Sequence, residues 1–453
     1  MKADILVAEI GSTTTLINAF CGIRSGEPEF IGQGQAPTSV LKGDVRIGLN
    51  GAIEDLKTNL GADKIEYGEM LATSSAAGGL RMCVHGLVYD MTVKAAVAAA
   101  LGAGAIVTMA TAGKLSEYDI EDLKEARPNL ILLAGGTDYG EKETALFNAR
   151  MIAASGVKAP VIYAGNVQNK RAVEDIFQKA GVSCTVTENV YPKLDKLNIE
   201  PARKIIHQVF EEHIIKAPGM EHIRDMVTGH IMPTPGAVME AVQLAYNEIG
   251  DVVAVDIGGA TTDVHSVTGG SEEIGILLTT PEPFAKRTVE GDLGLYVNAK
   301  NLVERIGADA LGAELGIDMD AVMANYLPIP KSEEQFKLTE RLCKEAGLVA
   351  LERHAGSLRY VYTPSGRRTV AEGKDLTAVR TIIGTGGALT RLPHREQLLR
   401  ALADCNATGM MLYPKPGKLR TLFDDDYIMA SLGVLSRHYP DAALALMKHS
   451  LGI

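Results

Sequence analysis

The chain has 453 residues, too many for one compact core, so two domains or lobes are expected. Its 45 Lys and Arg stand against 56 Asp and Glu, and the formal charge of −11 argues against nucleic acid as a partner. Small anions stay open, because main-chain N–H groups can hold a phosphate without lysines, and the longest small-apolar stretch, 95–107, is too short and glycine-rich to span a membrane.

The opening element, ILVAEIGSTTTLINAF at 5–20, reads as apolar strand, acid, Ile-Gly, hydroxyl cluster and second apolar strand. Its hydrophobic run is short and broken by Glu9, which makes it a strand rather than a signal peptide. Five cysteines without CxxC spacing fit reduced structural thiols, so a cytoplasmic protein is expected. Downstream, GAIVTMA at 104–110, NLILLAGGTD at 129–138 and APVIYAGN at 159–166 are apolar strands, with helical stretches such as EKETALFNARMIAAS at 141–155 between them. That alternation predicts α/β layers with covered sheets. Pro233 and Pro235 then interrupt the chain ahead of a helical stretch, and we place the boundary between two similar lobes there, 1–245 and 246–453.

The second lobe opens on VVAVDIGGATTDVHSV at 252–267, which repeats the grammar of the first element 247 residues later (252 − 5). The segment 308–350 is helical and charged, a decoration of that lobe. RTIIGTGGAL at 380–389 ends a strand on a Gly-Gly pair, 251 residues after the one in NLILLAGGTD (386 − 135). A long duplication accounts for both landmarks, with Gly135–Gly136 as the first lobe's counterpart of the later turn. DDDYIMASLGVLSRH at 424–438 predicts a helix capped by Asp424 or Asp425 and returning toward the first lobe.

Each acid–glycine turn suits an anion. Gly11, Gly258 and Gly259 leave no Cβ to obstruct converging N–H groups, and Ser12, Thr13, Thr14, Thr261 and Thr262 add short donors. An acid leaving a buried strand is unfavourable as a bare charge unless it serves a cation. Glu9 and Asp256 are therefore the candidate catalytic and metal residues, holding magnesium that bridges phosphate oxygens. Asp263 is read as stabilising its own turn, and Gly384, Gly386 and Gly387 as a flat backbone surface for adenine and ribose. A lone DIGG is most often just a β-turn. Two in matched order favour ATP with Mg2+ held from both sides of a cleft.

These hairpins, the Gly-Gly turn and the closing helix together resemble the actin, Hsp70 and sugar-kinase superfamily, which implies a two-lobed, duplicated ribonuclease-H-like α/β fold. Longer blocks are more specific: TSSAAGGLRMCVHGLVYDMTVKAAVAAALGAGA at 73–105, LLAGGTDYGEKE at 132–143, PTPGAVMEA at 233–241 and YTPSGRRTVAEGKDLTAVRTIIGTGGALT at 362–390. With VDIGGATTDVHSV at 255–267 they are similar to the glutamate-mutase accessory family, also called MutL-type and unrelated to the mismatch-repair protein of that name. The resemblance covers nearly the whole chain. It implies an ATP-dependent reactivating chaperone of an adenosylcobalamin-dependent mutase or aminomutase, with nucleotide state coupled to lobe closure and release of damaged cofactor. Candidate partner-contact faces are 308–350 and SSAAGGLRMCVHG at 74–86.

Two residues depart from the superfamily pattern: Glu9 stands where Asp is usual, and Leu16 where many members carry Lys or Arg. Nucleotide binding is thus a firmer expectation than turnover. A small-molecule kinase would instead need a base such as Asp119, Asp138 or Glu143, and a non-hydrolysing nucleotide sensor would accommodate Leu16.

Overall fold

A computed structural model describes the chain except residues 76–79, 216, 217, 221, 230, 364 and 365, and the side chains of 41, 211–215 and 363. The chain opens as a meander: β1 (Lys2–Ile10), β2 (Thr14–Cys21) and β3 (Glu29–Pro37), each antiparallel to the one before. Helix α1 (Val45–Leu60) follows, started by the Asp44 carboxylate on the Arg46 N–H and ended by Gly61 at φ 60°. Its buried stripe of Val45, Leu49, Ala52 and Leu56 at helical spacing turns the chain back across the sheet. Strand β4 (Glu66–Ser74) then joins β1 in parallel.

Here the chain leaves the first sheet. It builds a separate sheet of five parallel strands, β5 (Arg81–Gly86), β6 (Ile106–Ala112), β7 (Leu130–Leu133), β8 (Val161–Tyr163) and β9 (Cys184–Val186). Helices α2 (Lys94–Gly102), α3 (Glu117–Ala126), α4 (Glu143–Ala154) and α5 (Lys170–Lys179) alternate with these strands, and α6 (Glu200–Ile215) follows them. One core runs unbroken from Leu6, Ala8 and Met70 of the first sheet to Met82, Val84, Ala96 and Ile206 of the insert. Strand β10 (Ile231–Pro233) returns to complete the first sheet in the order β10-β4-β1-β2-β3.

The pattern then repeats. Strands β11 (Val252–Ile257), β12 (Thr262–Val267) and β13 (Ala285–Glu290) form a second meander. After a hairpin of β14 (Ser357–Thr363) and β15 (Gly366–Glu372), strands β16 (Thr381–Thr385) and β17 (Arg420–Phe423) add in parallel, giving β13-β12-β11-β16-β17. The two sheets have the same strand order and sense.

This corrects one sequence expectation. Gly135–Gly136 ends β7 of the inserted sheet and is no counterpart of Gly386–Gly387. The strand equivalent to β16 is β4, since each runs parallel to the first strand of its meander. The duplication stands on the hairpins; the matched Gly-Gly spacing was coincidental. The block at 74–86 correspondingly runs from the end of β4 into β5, and its residues 76–79 lie outside the described residues.

Two helices cross between the sheets. Helix α7 (Thr234–Ile249) packs on β11 and β12, whereas the Met429–Ser436 helix packs on β1 and β4. Every residue from Met429 to Leu435 is buried, as a helix covered on all sides requires. At the crossing a Cβ on Gly433 would stand 1.8 Å from the Ala237 carbonyl oxygen, so only glycine permits this approach.

Candidate functional site between the hairpins

Both hairpins close with the same turn. Gly11 N–H donates to the Thr14 carbonyl at 3.0 Å, and Gly258 N–H to the Thr261 carbonyl at 3.0 Å. The registers also match: Glu9 lies opposite Leu16, and Asp256 opposite Asp263. Ser12 and Thr13 are exposed at the first tip, and Thr14 is half-buried. At the second tip, Gly258 and Gly259 are half-buried and their carbonyls accept from Leu295, Tyr296 and Val297, which brace the turn from outside. Thr261 donates to Asp263 Oδ2 at 2.8 Å. Thr262 is fully buried, and its hydroxyl donates inward to the Leu293 carbonyl at 2.9 Å.

The three glycines of the later strand occupy different settings. Gly384 lies within β16, where a Cβ would press on Leu399 and Leu389 at 3.2 and 3.3 Å. Gly386, at φ 82°, presses against the second hairpin, and a Cβ there would meet Asp256 Oδ1 and Ile257 N. Gly387 faces open space, its nearest neighbour being the Tyr427 hydroxyl at 4.0 Å from an added Cβ.

Glu9 and Asp256 come together with a third acid, Asp424. Burial raises the Glu9 carboxyl to about 7, with Asp424 pushing the same way against the Ser431 and Asn18 hydrogen bonds. Those donors lie 2.6 Å (Ser431 Oγ) and 3.0 Å (Asn18 Nδ2) from Glu9 Oε1. Burial likewise raises Asp256 to about 7, reinforced by Asp263, Glu9 and Asp424 and opposed by Arg287. Arg287 donates to Asp263 Oδ1 at 2.6 and 2.9 Å, so this guanidinium is committed to Asp263 rather than to Asp256. The reading of Asp263 as a turn-stabilising residue agrees with this geometry.

Asp424 is wholly buried and accepts from the Thr385 and Ser450 hydroxyls and from the Ile428 and Met429 N–H groups. The expected helix therefore begins at Met429, later than its acidic run, and Asp424 caps it from a distance. Asp425 instead pairs with Arg395 at 2.6 Å. Beside the acids stands Tyr427 at φ 56°, with the Arg391 guanidinium 5.9 Å from its ring centroid. Asn18, Asp424, Tyr427 and Ser431 were not foreseen as parts of one site. A polar Asn inside an apolar strand and three acids before a helix were the available signals.

A divalent cation with a polyphosphate fits this arrangement. Asp256 accepts no hydrogen bond among the described residues, and no Lys or Arg pairs with Glu9, Asp256 or Asp424. Like charges gathered without a counter-ion favour a cation between them. Among the described residues no three His, Cys, Asp or Glu side chains converge as a cage, so most magnesium ligands would be water and phosphate. The alternative bases lie elsewhere: Asp119 forms a capping box with Ser116 on α3, Asp138 follows β7, and Glu143 starts α4, all in the insert.

Two meanders of one strand order, joined by crossing helices with three acids gathered between the hairpins, define a two-lobed actin-like fold of the ribonuclease-H-like type. The chain belongs to the MutL protein family, whose model matches residues 5–451. It is 40% identical to Protein MutL of Clostridium tetanomorphum over 461 residues, covering 98% of each chain. Among solved structures it is similar to a nucleotide-free diol dehydratase-reactivating factor, at 11% identity and a TM-score of 0.38, covering 97% of this chain and 100% of that one. A nucleotide-free acetone carboxylase is similar at 13% identity and a TM-score of 0.43, over 96% of this chain and 70% of that one. No described helix is long and apolar enough to cross a membrane.

Proposed function

We propose that this protein is an ATP-binding accessory factor that reactivates an adenosylcobalamin-dependent mutase or aminomutase in the cytoplasm. The observation that carries the nucleotide part is Glu9 and Asp256 at the same register position of two hairpins closed by the same hydrogen bond, with Asp424 beside them and no Lys or Arg paired to any of the three among the described residues. Glu9 and Asp256 hold Mg2+ through water. Ser12, Thr13, Thr14, Gly259 and Thr261 present amides and hydroxyls to the phosphates, while Gly11 and Gly258, whose N–H groups close the turns, leave no Cβ in the way of their approach. Gly386 and Gly387 receive the adenosine, while Gly384 and Thr262 support that surface from inside the lobe. Magnesium supplies charge neutralisation for the phosphate oxygens.

The lobes, taken as 1–245 and 246–453, close on ATP about the helix crossing. The difference in affinity for a damaged enzyme between nucleotide states then drives cofactor release. The test is ATP hydrolysis with and without a cobalamin-inactivated mutase, together with recovery of mutase activity on adding adenosylcobalamin. Recovery that needs ATP supports the reading, and recovery independent of this protein overturns it. A non-hydrolysing sensor is the second reading, favoured by the buried Leu16 opposite Glu9 where a phosphate-contacting cation is absent. ATP binding without turnover under all conditions would select it.

A further inference from the structure

The Gly-Gly pair at 135–136 is unused by the site between the hairpins. It lies on the carboxyl edge of the inserted sheet, whose order is β6-β5-β7-β8-β9. The first strand, β5, sits between the second and third, so the direction of winding reverses beside it. In open parallel sheets of this order, ligands bind outside the carboxyl ends of the strands near that reversal. A cavity of about 310 Å³ opens on the same carboxyl edge, to one side of that reversal, over the loops that follow β7, β8 and β9. Its volume lies at the lower end for small-molecule sites, roughly 300–1,000 Å³.

Four charges line the cavity. Lys170 begins α5, Lys196 lies beyond β9, and Asp138 and Glu188 follow β7 and β9. None of the four forms an ion pair among the described residues. Asp138 Oδ1 accepts from Val167 N–H at 2.9 Å and Asn189 Nδ2 at 3.0 Å, which leaves Oδ2 without a donor among the described residues. Glu188 Oε2 accepts from Asn198 Nδ2 at 3.0 Å, which leaves Oε1 likewise.

The rim is held before any ligand arrives. The buried Asn189 also donates to the Gly136 carbonyl at 3.0 Å. The buried Asn166 accepts from Tyr139 N–H and donates to the Gly140 and Glu141 carbonyls. A preformed rim lowers the ordering cost of binding.

The charge pattern narrows the ligand. A simple anion would meet two carboxylates, and a simple cation two ammonium groups. A small molecule carrying both charges satisfies all four, with its negative end additionally favoured near the start of α5. We propose that the inserted sheet carries a second ligand site for a small zwitterion, an α-amino acid by class. Its carboxylate meets Lys170 and Lys196, and its ammonium meets Asp138 Oδ2 and Glu188 Oε1. This site stands apart from the nucleotide reading and does not depend on it.

The test is calorimetric titration of the full chain with each common amino acid, with acetate and methylamine as half-ligand controls. At least one amino acid should saturate where neither control does. Lys170→Ala, at a half-buried helix start, and Glu188→Gln, at an exposed side chain, should each weaken that binding about tenfold or more. Thermal protection by Mg-ATP should be unchanged in both variants, which separates this outcome from failure of the nucleotide site. Absence of saturable amino-acid binding, equal binding of acetate alone, or binding insensitive to both substitutions would each overturn the proposal.

Discussion

A Cβ placed on Gly386 would stand 2.4 Å from the Asp256 carboxylate oxygen, so the Gly-Gly turn and the second acid hairpin share one van der Waals surface. Gly386→Ala must therefore move the hairpin as well as force an L-residue to φ 82°. We expect a loss of about 2 kcal/mol or more in urea unfolding. Gly387→Val is the contrast, since its site is open. It should unfold at the parent's urea midpoint while losing the Tm increase given by Mg-ATP; a retained increase would remove Gly387 from the nucleotide site.

The acid pair should trade stability for binding. An unfolded glutamate loses its proton near the ordinary value of 4.5, but Glu9 in the folded chain does so only at about 7. Between those values the native state holds the extra proton, so its contribution to stability is full below about 4.5, falls as pH rises through about 7, and levels off above that. Glu9→Gln keeps an oxygen for Ser431 and Asn18. It should raise nucleotide-free stability at pH 8 by about 1–3 kcal/mol and leave it unchanged below pH 4.5. The same variant, and Asp256→Asn, should lose magnesium-dependent ATP affinity by calorimetry.

Asp424 should behave as a structural keystone. It satisfies donors from β16, from the start of the Met429–Ser436 helix and from Ser450 near the C-terminus. Asp424→Ala strands those donors in the interior and should cost about 3 kcal/mol or more. Equal urea midpoints for variant and parent would show that Asp424 does not brace the cleft.

Acid should weaken the fold through its buried imidazoles. Burial lowers His85 to about 4 and His207 to about 3, and holds His265 and His354 well below the usual value of 6.5. The unfolded rings take protons near 6.5 while the native ones do not. Stability is then fully present above 6.5 and lost as pH falls toward the folded values, by about 1.4 kcal/mol per pH unit for each ring. Neither ring nitrogen of His265 has a hydrogen-bond partner among the described residues. His265→Phe should reduce the proton uptake of unfolding between pH 6 and pH 5 by about one. An unaltered slope would exclude His265 as a contributor.

The hairpins were legible in the sequence because acid, glycine and hydroxyl fall at fixed steps between apolar strands, a pattern local enough to survive any tertiary arrangement. Sheet membership was not. NLILLAGGTD and RTIIGTGGAL look alike because every buried parallel strand ending on a tight turn looks so. Pairing with β5 rather than β1 is decided by residues far away. Asp424 was visible only as a helix cap, since its nearness to Glu9 arises when its helix crosses onto the opposite sheet.

The insert has a mechanical consequence. It is fused by its core to the first sheet, yet Arg287 of β13 donates to the Leu101 carbonyl of α2 at 2.9 Å while gripping Asp263 with its other nitrogens. Lys94 of the same helix pairs with Glu282 across the same seam. One guanidinium thus ties the insert to a residue that lies one cross-strand step from Asp256, so any displacement of the insert against β13 would load the second acid hairpin directly.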